Sequence, residues 1–433
     1  MAKSEIQLPL PQTQEPIYRR NFIYFLADNI LCTLALGILG TTTVIPDFVR
    51  RLTDSEILIG LSGNIFTIGY TLPQLFIARY LLRSANKKWW FVGPNIPVRF
   101  VILLFAGLIL WLGQERPELI LAAFFICYGI AAFGDGLVGV PWADLIGTSL
   151  DSRWRARMFG LAAAISGVLM LLITPLIGNI LGENGPGFPN NYAILFAISG
   201  SVFVISILPG LLIHELPGGK PVEKLSSFSE FLPELGGLLR DDIPFRAYIV
   251  TRTFISLLLM SAPFYIGFAT VRLGLSSEVA VPVLFGMQIA GSIIGSLVYT
   301  WLGARNNLLY IQLALISGAL LPVCALLAEA VGPWLLYLGF LLSGLAAGSN
   351  LFLCLLNWLV GYANADQRPL YVGLANTVTA VVSFITPLIA GTIVQNLGYR
   401  PLFVVSLIMA FSALFVTIRF FPKTQIDTDP LHA

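Results

Sequence analysis

Asp28, Arg99, Asp135 and Arg252 each stand inside a long apolar stretch of the chain. A charge left alone in hydrocarbon costs at least ~2.5–3.5 kcal/mol on insertion scales, so each of the four requires a partner, a proton or water. Counted at 1.5 Å per residue from the ends of their stretches, all four lie about 10–14 Å deep. Two acids and two arginines at one depth can neutralise one another in pairs. They can also act as a gate: an aspartate that alternates between an arginine and water changes its proton affinity, which couples proton uptake to a change of shape. Arg99 with Asp135 alone equally suits a static structural pair.

Polar and aromatic residues accompany the charges at helical spacing. Tyr128, Asp135 and Trp142 recur every seven residues, and Ser343, Asn350 and Asn357 repeat that spacing in the second half of the chain. Each set marks one helix face. Asn21 and Tyr24 precede Asp28 on its stretch, Tyr248 and Ser256 flank Arg252, and Asn376 is of the same kind. Together they make a lining suited to a small, partly polar solute. Hydrogen bonding between packed helices, routine in membrane bundles, is the competing reading.

Residues for other chemistries are missing. The only histidines are His214 and His432, and no His-Glu-x-x-His zinc motif occurs. Phe133-Gly134-Asp135 lacks the first glycine of an intramembrane aspartyl-protease Gly-x-Gly-Asp pattern, and there is no Gly-x-x-x-x-Gly-Lys-Ser/Thr phosphate loop. Cys32, Cys127, Cys324 and Cys354 sit singly in apolar runs, without metal-site or disulfide spacing. No catalytic residue, cofactor or metal is expected, and the chain reads as something other than an enzyme. Its 25 Lys+Arg against 23 Asp+Glu leave no basic excess for nucleic acid.

The elements that must hold these residues are membrane-spanning helices. The chain is 57% hydrophobic and only 11% charged, whereas soluble domains carry about 25% charged residues. A bilayer core of about 30 Å takes roughly 20 mainly apolar residues per crossing, because unpaired backbone amides cannot be left in hydrocarbon. Twelve stretches qualify: 22–46, 57–79, 90–113, 117–141, 158–181, 192–213, 246–268, 279–302, 307–330, 333–360, 372–396 and 400–421. Eighteen of the 25 Lys and Arg residues fall on the side of the two termini, five on the other side, and Arg99 and Arg252 within helices. Positive charge stays in the cytoplasm, so both termini are expected there.

The expected organisation is a tail over 1–20, a six-helix bundle over 21–213, a central cytoplasmic loop over 214–243, a second bundle over 244–421 and a tail over 422–433. The first 16 residues carry Pro9, Pro11 and Pro16 and have no apolar core, unlike a cleaved signal peptide. In the central loop Phe228, Phe231, Leu232, Leu235, Leu238 and Leu239 recur at helical spacing. That suits an amphipathic helix on the inner membrane surface, or a solvated linker helix.

The two halves echo one another in three places. Gly129-Ile-Ala-Ala-Phe-Gly-Asp135 matches Gly344-Leu-Ala-Ala-Gly-Ser-Asn350. Gly160-Leu-Ala through Thr174-Pro-Leu-Ile177 matches Gly373-Leu-Ala through Thr386-Pro-Leu-Ile389. Arg51-Leu-Thr-Asp-Ser-Glu56 is echoed by Arg272-Leu-Gly-Leu-Ser-Ser-Glu278. Matched segments share a membrane direction, so the halves are parallel repeats.

Twelve helices in two parallel six-helix repeats with a central loop resemble the major facilitator superfamily, and the wording is similar to its bacterial members. Trp142-Ala-Asp-Leu-Ile146 followed by Arg153-Trp-Arg-Ala-Arg-Met-Phe-Gly160 resembles the superfamily's Asp- and Arg-bearing loop, with Asp366-Gln-Arg368 to Gly373 as its counterpart. That resemblance makes Asp144, Arg153, Arg155, Arg157, Asp366 and Arg368 candidates for an inner-loop gate. The hallmark loop between the second and third helices reads Tyr80-Leu-Leu-Arg-Ser-Ala-Asn-Lys-Lys88, keeping cations but lacking the acid. The resemblance implies an all-α membrane fold of two pseudo-symmetric bundles, with helices 1, 4, 7 and 10 lining a central cavity. Asp28, Asp135 and Arg252 would then face the cavity, and Arg99 would reach it from behind. It further implies a monomeric, multi-pass protein of the plasma membrane. Such a protein would move a small organic solute with protons by alternating access, as symporter or antiporter. The alternative is a transporter-like sensor or lipid-moving protein without solute flux.

Overall fold

The computed structural model describes residues 15–81, 87–150, 152–183, 185–215, 240–302, 306–348, 351–362 and 368–422. The amphipathic pattern of the central loop falls outside them. Helices coincide with all twelve predicted stretches. They are α1 (Glu15–Leu39, continued by Val44–Arg50), α2 (Glu56–Leu81), α3 (Lys88–Leu112), α4 (Pro117–Ser149), α5 (Ser152–Leu181) and α6 (Asn190–Ile205, continued by Ile207–Leu212). The second half holds α7 (Ile243–Leu259, continued by Phe264–Gly267 and a wider turn over Phe268–Arg272), α8 (Ser277–Leu302), α9 (Asn307–Val331), α10 (Trp334–Gly348 and Leu351–Tyr362), α11 (Arg368–Leu397) and α12 (Tyr399–Phe420). Among the described residues ten helices are long and apolar enough to cross a bilayer, and Trp334–Ala347 is a shorter apolar one. Side chains such as Trp111, Leu172, Leu297 and Phe415 are mostly exposed. Outward apolar surface on this scale is what a lipid solvent demands.

Several boundaries differ from expectation. α4 runs on to Ser149 and α5 begins at Ser152, where hydropathy placed ends at 141 and 158. The extra turns mix Asp144, Thr148, Ser149, Arg155 and Arg157 with apolar residues, which lowers the hydrophobicity count that set the expected ends. α1 breaks at Gly40, whose φ is +47° and where a Cβ would stand 2.4 Å from the Thr43 hydroxyl oxygen. α7 loses regular helix over Met260–Pro263.

Packing within the halves is aromatic. In the first, Phe48 touches Phe105, Phe124, Tyr192 and Phe196, with ring centroids 5.1–6.1 Å apart. In the second, Trp358 stacks on Tyr248 and Tyr362, and Tyr265 on Phe403.

The halves meet along α2 against α11 and α5 against α8, toward the end away from the termini. Contact there is backbone-close: a Cβ on Gly391 would stand 2.5 Å from the Cα of Ile57. At the end bearing the termini, the polar contacts found among the described residues join neighbours of the same half. Asn21 donates to the His214 carbonyl at 2.8 Å and accepts from its N–H at 2.9 Å. Asp242 caps α7 through Phe245 N–H and accepts from Tyr362 and Tyr371 at 2.8 and 2.7 Å. Burial and the Asp242 carboxylate push the Tyr371 phenol up to about 12, so it remains a donor.

Candidate functional site

α1, α3 and α4 bring three of the four predicted charges to one place. Asp28 is 2% exposed and Arg99 4%. The indole N–H of Trp142 donates to Asp28 Oδ2 at 2.8 Å. One turn along α1, the Cys32 thiol lies 3.9 Å from Asp28 Oδ1 and 3.0 Å from Arg99 Nη1. Arg99 Nη2 stands 3.4 Å from Asp135 Oδ1, its Nε donates to Asn95 Oδ1 at 3.1 Å, and its guanidinium lies 4.7 Å from the Phe203 ring centre. The guanidinium is thus held on several sides by groups other than Asp28.

This cluster opens on a cavity of about 140 Å³, also lined by Thr33, Tyr70, Val138 and Gly139. The heptad face predicted on α4 explains why Asp135 and Trp142 both reach it. Tyr128, on the same face, is instead buried between Phe66 and Phe124. Tyr24 is half-buried and packs with the cluster containing Phe25 and Trp142.

Arg252 does not line that cavity. Its Nη1 donates to Asn376 Oδ1 at 3.2 Å and reaches the Tyr248 hydroxyl at 3.4 Å, so three predicted residues of the second half gather around α7. Ser343 lines a second, larger cavity. At the termini end, Lys87 pairs with Asp144; the cation that survives in the altered loop thus holds the acid at the end of α4. Arg155 is half-buried, and Arg157 is exposed with its guanidinium 5.9 Å from the Trp154 ring centre. Arg153, Asn350, Asn357, Asp366 and Arg368 lie outside the residues whose side chains are described.

Sequence reading missed a polar seam at the opposite end. Arg50 forms a two-pronged pair with Glu56 at 2.8 and 2.9 Å, and Tyr399 of the second half donates to Glu56 at 3.2 Å. Buried Asp47 accepts from Tyr192, from Arg51 at 3.4 Å and, across the seam, from Ser277 at 2.9 Å. The Arg51 to Glu56 segment stood out only as a repeat. Arg51 pairs with Asp47 of α1, whereas its counterpart Arg272 pairs with Glu329 of α9.

Solved structures with this arrangement of helices decide the architecture. A mutant of the nucleoside transporter NupG superposes with a TM-score of 0.71 at 12% identity, covering 93% of this chain and 100% of that one. The chain has the major facilitator fold. A peptide transporter POT mutant in complex with sulfate gives 0.66 at 12% identity, covering 94% and 98%. A bacterial homologue of the human lysosomal transporter Spinster, inward-facing and unoccupied, gives 0.59 at 15% identity, covering 94% and 95%. The Major Facilitator Superfamily sequence model matches residues 310–431. No curated protein matches the sequence. In major facilitator terms, the charged cavity is built from helices 1, 3 and 4, and Arg252 stands on helix 7.

Proposed function

We propose that the chain is a secondary active transporter that moves a small organic solute across the plasma membrane by alternating access, with Asp28 as the proton-carrying group. One observation carries this reading: the buried cluster holds two carboxylates and one guanidinium. Arg99 is engaged by Asp135, Asn95 and Cys32, while the nearest donor to Asp28 is the neutral indole of Trp142. One negative charge is therefore in excess at a depth where hydrocarbon penalises it, and a proton removes it at least cost. Binding and release of that proton would change how α1 holds α3 and α4, biasing the rocking of one bundle against the other. The nucleoside and peptide transporters among the structural neighbours agree with an organic solute. By the charge rule both termini are cytoplasmic, so the polar seam faces outward and the conformation is closed outside.

Proteoliposomes holding a trapped pH-sensitive dye provide the test, with nucleosides, short peptides and amphipathic metabolites added in turn. A solute that drives proton movement through the wild type should drive none through Asp28→Asn, while exchange of labelled for unlabelled solute continues. Equal proton movement in the two proteins would overturn the role of Asp28. Absence of saturable flux for every solute would favour the sensor or lipid-moving alternative.

A further inference from the structure

The cavity in the second half plays no part in the proton chemistry above. It measures about 260 Å³ and is walled by α7, α8, α9 and α10, with Ile255, Leu258, Tyr265, Ala314, Leu321 and Leu351 supplying apolar surface. Its polar side chains are few and turned largely to the walls. Ser261 donates to the Leu258 carbonyl at 3.1 Å, Ser343 donates to the Phe340 carbonyl at 3.0 Å, and the Gln288 side-chain oxygen accepts from Thr42 across the seam at 3.5 Å. The space is bounded mainly by hydrocarbon.

Packing does not force this space. A Cβ on Gly318 would meet Leu258 Cδ2 at 3.6 Å and Ala346 Cβ at 3.9 Å, both ordinary contacts. A larger side chain would occupy the void, yet the position carries none. Apolar walls without packed neighbours forgo dispersion contacts, which an apolar group seated against them would supply. The repeat sharpens the point. Gly318 is the twelfth residue of the 25-residue α9, and Arg99 is the twelfth of the 25-residue α3. The same place thus carries a guanidinium in one half and no side chain in the other.

We infer that this cavity binds the uncharged apolar part of the transported solute, an aromatic ring or a short branched alkyl chain, which makes the substrate class amphipathic organic molecules rather than sugars or polyols. The inference rests on the reading of the chain as a solute transporter. A dry apolar cavity of ~150 Å³ accepts a benzene ring, so about 260 Å³ accepts a ring with a short chain. The Thr42 to Gln288 contact puts one wall of the cavity at the seam, where movement of the halves would register its occupancy.

Binding can be measured without transport. Full-length protein in nanodiscs of neutral lipid is titrated with para-fluorophenylpropanol, followed by fluorine NMR and by thermal unfolding. Wild type should bind saturably and melt at a higher temperature. Gly318→Leu should weaken binding at least ~10-fold and raise the melting temperature of the unliganded protein. Gly107→Leu, at an exposed glycine with nothing within 4 Å, should behave as wild type. Should Gly318→Leu fail to fold, Ala346→Leu fills the same space from α10. Asp28 does not line this cavity, so Asp28→Asn should still bind the probe saturably; proton coupling can fail while binding stands. Unsaturable uptake by wild type, or equal affinity in the folded cavity-filling variants, would overturn the assignment.

Discussion

The two halves of this molecule share a layout and differ in what they enclose. Around α1, α3 and α4 the first half surrounds about 140 Å³ with Asp28, Arg99 and Asp135. Around α7, α8, α9 and α10 the second surrounds about 260 Å³ with mostly apolar side chains, and its own deep arginine, Arg252, turns to Tyr248 and Asn376. Matched helices of the two halves thus enclose cavities of different chemistry: charged side chains line one and mostly apolar side chains the other.

That contrast can be broken most forcibly at Arg99. Arg99→Met should cost about 3–5 kcal/mol, because it leaves buried carboxylates without their cation. Adding Asp135→Leu should restore most of the loss, since buried pairs are often replaceable by packed apolar residues. Chemical unfolding of both variants checks this; a double variant no more stable than the single one would show that Asp135 is not the partner that matters. The seam comes next. Glu56→Gln weakens the two-pronged contact of Arg50 and the tie to Tyr399, and a charged hydrogen bond is worth about 1.5–3 kcal/mol. Spin-label distances across the seam should therefore show a larger open population, at least ~10-fold at the lower bound. The smallest effect is expected at Arg272→Gln. Its side chain is 55% exposed, against 16% for Arg50, so stability should fall by less than about 1 kcal/mol and the loss should vanish in high salt. Equal responses to Glu56→Gln and Arg272→Gln would erase the distinction between a seam that ties the halves and a surface pair that does not.

Much of this was legible in the letters. Hydropathy located the twelve apolar helices among the described residues because apolar length is a direct requirement of the bilayer. The charges at Asp28, Arg99 and Asp135 announced a meeting because hydrocarbon forbids them solitude. Arg252 resisted, since two of its hydrogen-bond partners, Asn376 and Tyr248, are neutral residues that form no charge pattern with it. Asp47 and Glu56 also escaped notice. They lie near helix ends, where a carboxylate is unremarkable until Ser277 and Tyr399 arrive from the other half. The larger cavity was invisible for a simpler reason: unfilled space has no letter, and Gly318 reads as one more small residue in a helix.

Gly63 gives the fold a last consequence. A Cβ there would stand 2.6 Å from Pro263 Cγ and 2.9 Å from the Thr41 carbonyl oxygen, so α2 presses on the interruption in α1 and the interruption in α7 at once. The bends of the two repeats therefore meet at one point on α2, and a side chain there would bear on both at once.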